Sequence, residues 1–409
     1  MGVDFMRIVD RWVGVPMCLL FSLFDYILKI FIRPKAKRPI CKILFIQLSE
    51  MGSTISAYSA LRKTQKLFPE SELYYFIFKE MQDSIKLLDV IPANNILTVP
   101  SKSITGLLIQ SFKLILRVRK MQIDVVVDFE LFSRVSALFC YFFGCPVRVG
   151  FNKFHMEGLY RGSFQTHKVI YNHLKHISHN FLSLVYALQT TEDEIPFSKI
   201  TIREEDISIP KLRSSNEDRQ RILEKLQERD RGISGNKLIV VFNPNGSNLV
   251  PLRRWPITNY IELAKKLLAN PSVYVVCTGT QSEIEDAAAI CDTVGSTRCI
   301  NFAGQTTLRE LIDLFSVSRL LVSNDSGPPN FASLTNIKIL VFFGPETPRC
   351  YLPLGDAIEP LYSNFMCSPC VSAYNHRKSP CRDNKCLQAI TVDMVCNRIN
   401  ALIPGLLFQ

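Results

Sequence analysis

Four short loops in this 409-residue chain carry the residue types that hold phosphate or move a proton. The first is "NPNGSNLVPLRRWP", residues 243–256, where Asn245, Gly246 and Ser247 permit close backbone approach beside Arg253 and Arg254. Guanidinium forks suit phosphate oxygens bidentately. The second, "CTGTQSE", offers Thr278 and the turn at Gly279. The third, "NDSGPPN", places Asn324, Asp325, Ser326 and Gly327 ahead of a helix that Pro328 would open. Free amide donors and the helix dipole favour an anion there. Asp325 is odd beside an anion, and reads either as a cap or as a group that fixes the loop or a sugar hydroxyl. The fourth, "QLSEMGST", has Gly52 and Ser53 opening a helix, and Glu50 is its sole carboxylate. A single glycine makes that loop neither a P-loop nor a dinucleotide fingerprint.

Two further groups invite metal chemistry. His155, His167, His173, His176 and His179 fall in a stretch, 152–180, that reads as irregular, with no acidic or cysteine companion to complete a site. Near the end, Cys367, Cys370, Cys381 and Cys386 could close a structural zinc site, stay reduced, or pair as disulfides. Arg377, Lys378 and Arg382 make the same 367–386 loop basic.

Each phosphate-capable loop follows an apolar run: "ILFI", "KLIVVF", "VYVVC" and "RLLVS". Such runs alternate with helical patterns throughout, which predicts parallel sheets covered on both faces. The expected organisation is a hydrophobic segment at 1–38, an α/β domain at 39–205, a charged linker with a helix at 206–235, and a second α/β domain at 236–409. Two Rossmann-like halves of this kind bind ligands in a cleft, at the carboxyl ends of their strands.

A formal charge of +11 favours acidic partners. Phosphates and anionic lipid fit better than nucleic acid, for which no recognition signature is present. Thirteen cysteines in so long a chain do not make a disulfide scaffold, and a reducing compartment is the default. "WVGVPMCLLFSLFDYILKIFI", residues 12–32, is nearly long enough to cross a bilayer. Asp25 and Lys29 interrupt it at a cost of roughly 2.5–3.5 kcal/mol for a central charge, lowered if the two pair at i, i+4. With Arg33, Lys35, Lys37 and Arg38 behind it, the segment is expected to attach the protein to a membrane, spanning it or lying on it. A chain lacking residues 1–38 is expected to stay folded.

Taken together, "ILFIQLSEMGSTISAYSALRKTQKLFP", "NPNGSNLVPLRRWP" and "SNDSGPPNFASLTNIKILVFFGPETP" resemble glycosyltransferase family 9, the ADP-heptose:lipopolysaccharide heptosyltransferases. The resemblance implies a GT-B fold and inverting transfer without a required metal. It implies a nucleotide-diphospho sugar in the second domain, held by Gly52, Ser53, Asn245, Gly246, Ser247, Arg253, Arg254, Thr278, Gly279, Asn324, Ser326, Gly327 and Pro328. It implies a glycolipid acceptor in the first, for which His167, His173 and Arg377 are the candidates, at the cytoplasmic face of the inner membrane. Two positions depart from the family pattern: Ser53 stands where an Asp base is usual, and Asn330 where a His is usual. Glu50 then becomes the natural base, with Asp325 the second catalytic candidate. The rival expectation is a catalytically silent protein that binds nucleotide sugar or glycolipid.

Overall fold

The computed structural model describes residues 3–31, 39–101, 103–154, 158–190, 194–246 and 250–407. The chain divides into two compact units, residues 1–208 with 373–376, and residues 209–372 with 377–409. Residues 209–235 of the charged stretch expected as a linker at 206–235 are therefore part of the second unit. Its helix Asn216–Gln227 buries Ile222 and Leu226 and packs against helix Leu308–Val317, where Lys225 pairs with Glu310.

The first unit holds six parallel strands: β1 (Lys42–Ile46), β2 (Glu72–Phe78), β3 (Ile96–Val99), β4 (Val125–Asp128), β5 (Val147–Phe151) and β6 (His167–Val169). Their order is β3-β2-β1-β4-β5-β6. The second unit repeats the plan with β7 (Leu238–Asn243), β8 (Val273–Cys277), β9 (Cys299–Asn301), β10 (Leu320–Asn324), β11 (Lys338–Phe343) and β12 (Ile358–Tyr362). There the order is β12-β11-β10-β7-β8-β9. Central strands are buried on both faces, which is why they appear as unbroken apolar runs. In each sheet the winding reverses once, between β1 and β4 and between β7 and β10. Ligands in this class of fold bind beside that reversal, at the carboxyl ends. The register sets Ile46 against Asp128 and Ser323 against Asn243, so the loops beyond them emerge side by side.

At the N-terminus the helices Val3–Trp12 and Gly14–Phe31 belong to the first unit. Among the described residues, the run Ile8–Phe31, from the end of the first helix through the second, is long and apolar enough to cross a membrane. Asp25 and Lys29 pair at 2.7 Å, as their spacing predicts. Asp25 also reaches Arg148 of β5 at 3.3 Å, and Asp10 binds the buried Arg134 at 2.7 Å. Phe21 packs against Tyr141 and, edge-on, against Phe142 of helix Arg134–Phe142. One narrow face is thus fastened to the body, while Leu20, Leu23, Phe24, Ile27 and Ile30 stay exposed. Removing residues 1–38 would strand the Arg134 charge, so the truncation expected to be harmless is better replaced by substitutions on the open face. The basic residues 33–38 lie outside the described residues.

Candidate active site

In the first unit the loop after β1 turns through Glu50, whose φ of 69° and ψ of 76° are left-handed. A non-glycine residue there carries strain of about 1–3 kcal/mol and needs surroundings that impose it. Two sets of bonds do so. The Leu48 and Ser49 amides donate to Glu130 Oε1 at 2.6 and 3.2 Å. The Ser53 amide donates to the Glu50 carbonyl at 2.9 Å, and the Ser53 hydroxyl to Glu50 Oε2 at 3.0 Å. Ser53, expected to touch the donor, is here the hydroxyl that orients Glu50. Gly52 lies in the intervening turn of helix Met51–Ser56.

Glu130 is a second carboxylate at this site, and the sequence reading passed over it. It sits just beyond β4, across the winding reversal from β1. Burial, then the neighbouring Glu50 and Asp128 carboxylates, push its acid up to about 7, against the pull of the two amide donors. A pair of nearby carboxylates with one poised near neutrality is a recurring acid–base arrangement. Beneath it, Arg161 and Asp128 form a wholly buried ion pair. Arg161 also donates to the Glu130 carbonyl at 2.9 Å and to Ser136 Oγ at 3.0 Å, and Ser136 Oγ donates to Asp128 at 2.9 Å. Burial raises the Asp128 acid and the guanidinium opposes it.

In the second unit Asn324 is the knot of the site. Its side-chain oxygen accepts from the Trp255 amide at 2.9 Å, and its Nδ2 donates to the Pro244 carbonyl at 2.7 Å. It thereby fixes the loops after β7 and β10 and holds no ligand-facing atom of its own. Thr278 does the same between β7 and β8, donating to the Phe242 carbonyl at 3.1 Å. Asn245 differs. It is 3% exposed, and its Nδ2 has no hydrogen-bond partner among the described residues. A Cβ added at Gly279 would stand 3.1 Å from that nitrogen. The glycine thus keeps open the space into which a buried, unsatisfied donor points. Leaving such a donor unpaired costs about 1–3 kcal/mol, which a ligand acceptor would recover.

The two arginines separate in role. Arg253 is buried between carboxylates, with Nε 3.3 Å from Asp325 and a second bond to Glu346, which Arg377 also approaches at 3.8 Å. Its charge is matched within the protein, and it fixes the Asp325 loop. Arg254 is half-buried, with long contacts to Asp286 at 3.5 Å and to the Gly246 carbonyl at 3.4 Å. The helix that Ser326 caps, Gly327–Ala332, has only six residues and two prolines, Pro328 and Pro329, without amide donors. Its end supplies less anion binding than the sequence suggests. Asn330 Nδ2 turns back to the Ser326 carbonyl at 3.1 Å. Ser247 lies outside the described residues.

The histidine stretch is more regular than expected. His167 opens β6, bonds Thr166 Oγ1 at 2.9 Å and stacks on Phe197. His176 caps helix Ile177–Tyr186, and His179 meets Glu204 at 3.2 Å. His173 is exposed and packs on Tyr374; His155 lies outside the described residues. Of the acceptor candidates, His167 and His173 belong to the first unit and Arg377 to the second. All thirteen cysteines are free thiols. Burial and the nearby Cys370, Cys367 and Cys381 raise the Cys386 thiol, yet the Cys381 thiol donates to the Asp383 carbonyl. The three sulfurs that do gather, within 4.8 Å of one another, are those of Cys277, Cys291 and Cys299 in the core of the second unit.

The sequence profile of glycosyltransferase family 9 (heptosyltransferase) matches residues 111–379, well over half of the chain. The protein belongs to this family. A lipopolysaccharide heptosyltransferase 2 of Salmonella typhimurium is 31% identical to this family 9 chain over 128 residues, 31% of the chain and 36% of the relative. The corresponding Escherichia coli protein is 31% identical over 125 residues, covering 30% and 35%. The chain thus spans about a third of the length of these curated relatives. Among solved structures, E. coli ADP-heptose LPS heptosyltransferase II superposes with a TM-score of 0.67 at 20% identity, over 88% of this chain and 98% of that one. A family 9 glycosyltransferase of Veillonella parvula gives 0.67 at 18%, over 89% and 98%. These likenesses establish the fold of the family 9 chain as α/β of GT-B type, with two parallel six-stranded sheets.

Proposed function

We propose that this chain transfers a heptose from ADP-heptose to a lipopolysaccharide-type glycolipid, with inversion at the anomeric carbon. Family membership and the activities of the relatives support the sugar, nucleotide and acceptor. The observation that carries the chemistry is Glu50, a carboxylate held in a strained turn, oriented by Ser53 and set beside Glu130. In the reaction the acceptor hydroxyl oxygen bonds to the anomeric carbon as the bond from that carbon to the diphosphate oxygen breaks. Glu50 takes the hydroxyl proton, and ADP leaves with the bonding pair. Arg254, the Gly246 backbone and the Asn245 amide meet the leaving nucleotide diphosphate. The open apolar face of helix Gly14–Phe31 lies on the cytoplasmic side of the membrane that holds the acceptor.

No step is assigned to a cofactor. Structural zinc on Cys367, Cys370, Cys381 and Cys386 would appear as stoichiometric zinc in the purified protein and disappear in Cys367→Ser.

Two results test the assignments. Arg254→Ala is expected to weaken ADP-heptose binding by about 1.5–3 kcal/mol, the usual size of a hydrogen bond to a charged group, with adenosine binding nearly unchanged. Calorimetry showing equal losses for both ligands would place Arg254 away from the diphosphate. Glu130→Gln keeps an oxygen for the Leu48 and Ser49 amides but removes an acid poised at about 7. Above that pH an ionised Glu130 repels the charge on Glu50, and below it Glu130 is neutral, as glutamine is. The substitution is therefore expected to erase any inflection of kcat/KM near pH 7 and to leave the profile well below pH 7 close to that of the parent. An inflection near 7 that survives in Glu130→Gln would separate the two groups functionally.

A further inference from the structure

The helix Ile104–Met121 connects β3 to β4 and carries no acidic residue along its 18 residues. Leu114 and Val118 pack into the core of the first unit with Phe139, Cys140 and Phe143. The side turned away from that core is not polar. Ile104, Leu108, Phe112 and Leu116 recur every fourth position, joined by Ile109, and are 46–66% exposed. This spacing sets them along one line of the helix surface. Lys113, Arg117 and Lys120 follow the flank of that line, all exposed, with Arg119 at its end.

An exposed apolar stripe of this length on a soluble surface calls for a partner. The charge pattern says which. A second copy of the helix would set like charges against one another, whereas anionic lipid headgroups would meet them. Lysine and arginine at the edge of an apolar face also suit the depth profile of a bilayer interface, stems inside and charged ends at the headgroups. Position adds to this. Helix Arg134–Phe142 is flanked by both apolar helices: Phe21 of Gly14–Phe31 packs against its Tyr141 and Phe142, and Arg119 Nε donates to the Phe142 carbonyl at 2.7 Å. The β3-to-β4 and β4-to-β5 crossovers run the same way, so their helices share one face of the sheet.

We propose that helix Ile104–Met121 is a second membrane contact, which lies in the interface of an anionic bilayer beside helix Gly14–Phe31. The first unit then rests on lipid over a broad apolar face rather than hanging from an N-terminal tether. Rotation about a single anchor is suppressed, and the carboxyl edge bearing Glu50 keeps a fixed height above the headgroups. The inference extends the membrane reading given above and fails separately from it.

The test uses the full chain with vesicles of phosphatidylcholine alone or with phosphatidylglycerol. Leu108→Glu/Phe112→Glu is expected to lower partitioning onto phosphatidylglycerol vesicles by about tenfold or more, from two apolar side chains that no longer enter the interface. Lys113→Ser/Arg117→Ser/Lys120→Ser should erase the preference for the anionic vesicles. If Leu108→Glu/Phe112→Glu binds like the parent while Leu20→Glu/Phe24→Glu is released, the N-terminal helix anchors alone and this inference is overturned. If neither double substitution changes binding, the membrane reading falls as well. If, without lipid, the parent sediments as a dimer and Leu108→Glu/Phe112→Glu as a monomer, the stripe is a self-association surface. Should the charged variant fold poorly, Leu108→Trp in a Trp12→Phe background gives the same decision, with Trp12→Phe alone, which keeps only the buried Trp255, as the blank. The emission above that blank should be quenched by brominated lipid, and an unquenched excess on bound vesicles overturns the inference.

Discussion

Glu50→Gln is expected to cut turnover by about 10²–10⁴-fold, the size of a general-base contribution, while ADP-heptose affinity stays close to that of the parent. The amide matches the carboxylate in shape and still accepts from the Ser53 hydroxyl, so the strained turn is kept and only proton affinity is lost. Ser53→Ala should give a smaller fall, because Glu50 survives but its Oε2 loses the bond that orients it. A KM-against-kcat split tells the roles apart: both substitutions should act on kcat. Near-normal turnover in Glu50→Gln would move the base elsewhere, with Glu130, poised at about 7, first in line.

Arg161→Leu is expected to cost roughly 3–5 kcal/mol of stability, the usual penalty when one partner of a buried ion pair is removed. Both side chains of the Arg161–Asp128 pair are fully buried, so the deserted carboxylate would meet neither water nor a counter-charge. Arg161→Leu/Asp128→Asn should recover part of the loss, since no charge is then left behind. Urea unfolding of the three proteins measures this. A loss under about 1 kcal/mol for the single substitution would mean that water reaches Asp128 when the arginine goes. Because Arg161 also holds the Glu130 carbonyl, turnover should fall with stability in the single variant.

The strands at the centre of each sheet were legible because burial on both faces leaves no polar position to hide the signal. Two of the four edge strands were not. β6 is three residues, His167–Val169, with a single buried side chain. β12, "IEPLY", contains Glu359 and Pro360, tolerable only where one side needs no partner. The site divides in the same way. Glycine-bearing loops at the ends of apolar runs announced Gly246, Gly279 and Glu50, since turn chemistry is local. Glu130 and Arg161 escaped because their meaning is tertiary. Glu130 matters only once β4 stands beside β1, and Arg161 lies in a stretch with no periodicity to mark it. Its position immediately after "VVVDF", at the carboxyl end of a buried strand, was the available signal for Glu130. Arg253 and Arg254 show the limit from the other side. Adjacent in sequence and alike in chemistry, they differ only because Asp325 and Glu346 surround one of them.

The most direct test of the account is a transfer assay with purified full-length protein, ADP-heptose and lipopolysaccharide extracted from a strain that lacks core heptose additions. Mass spectrometry of the acceptor should show the gain of a heptose residue, matched by stoichiometric release of ADP and abolished together with it in Glu50→Gln. ADP-heptose that stabilises the protein against heat yet is never consumed, whatever truncated glycolipid is supplied, would contradict transfer and leave a protein that binds the nucleotide sugar without using it.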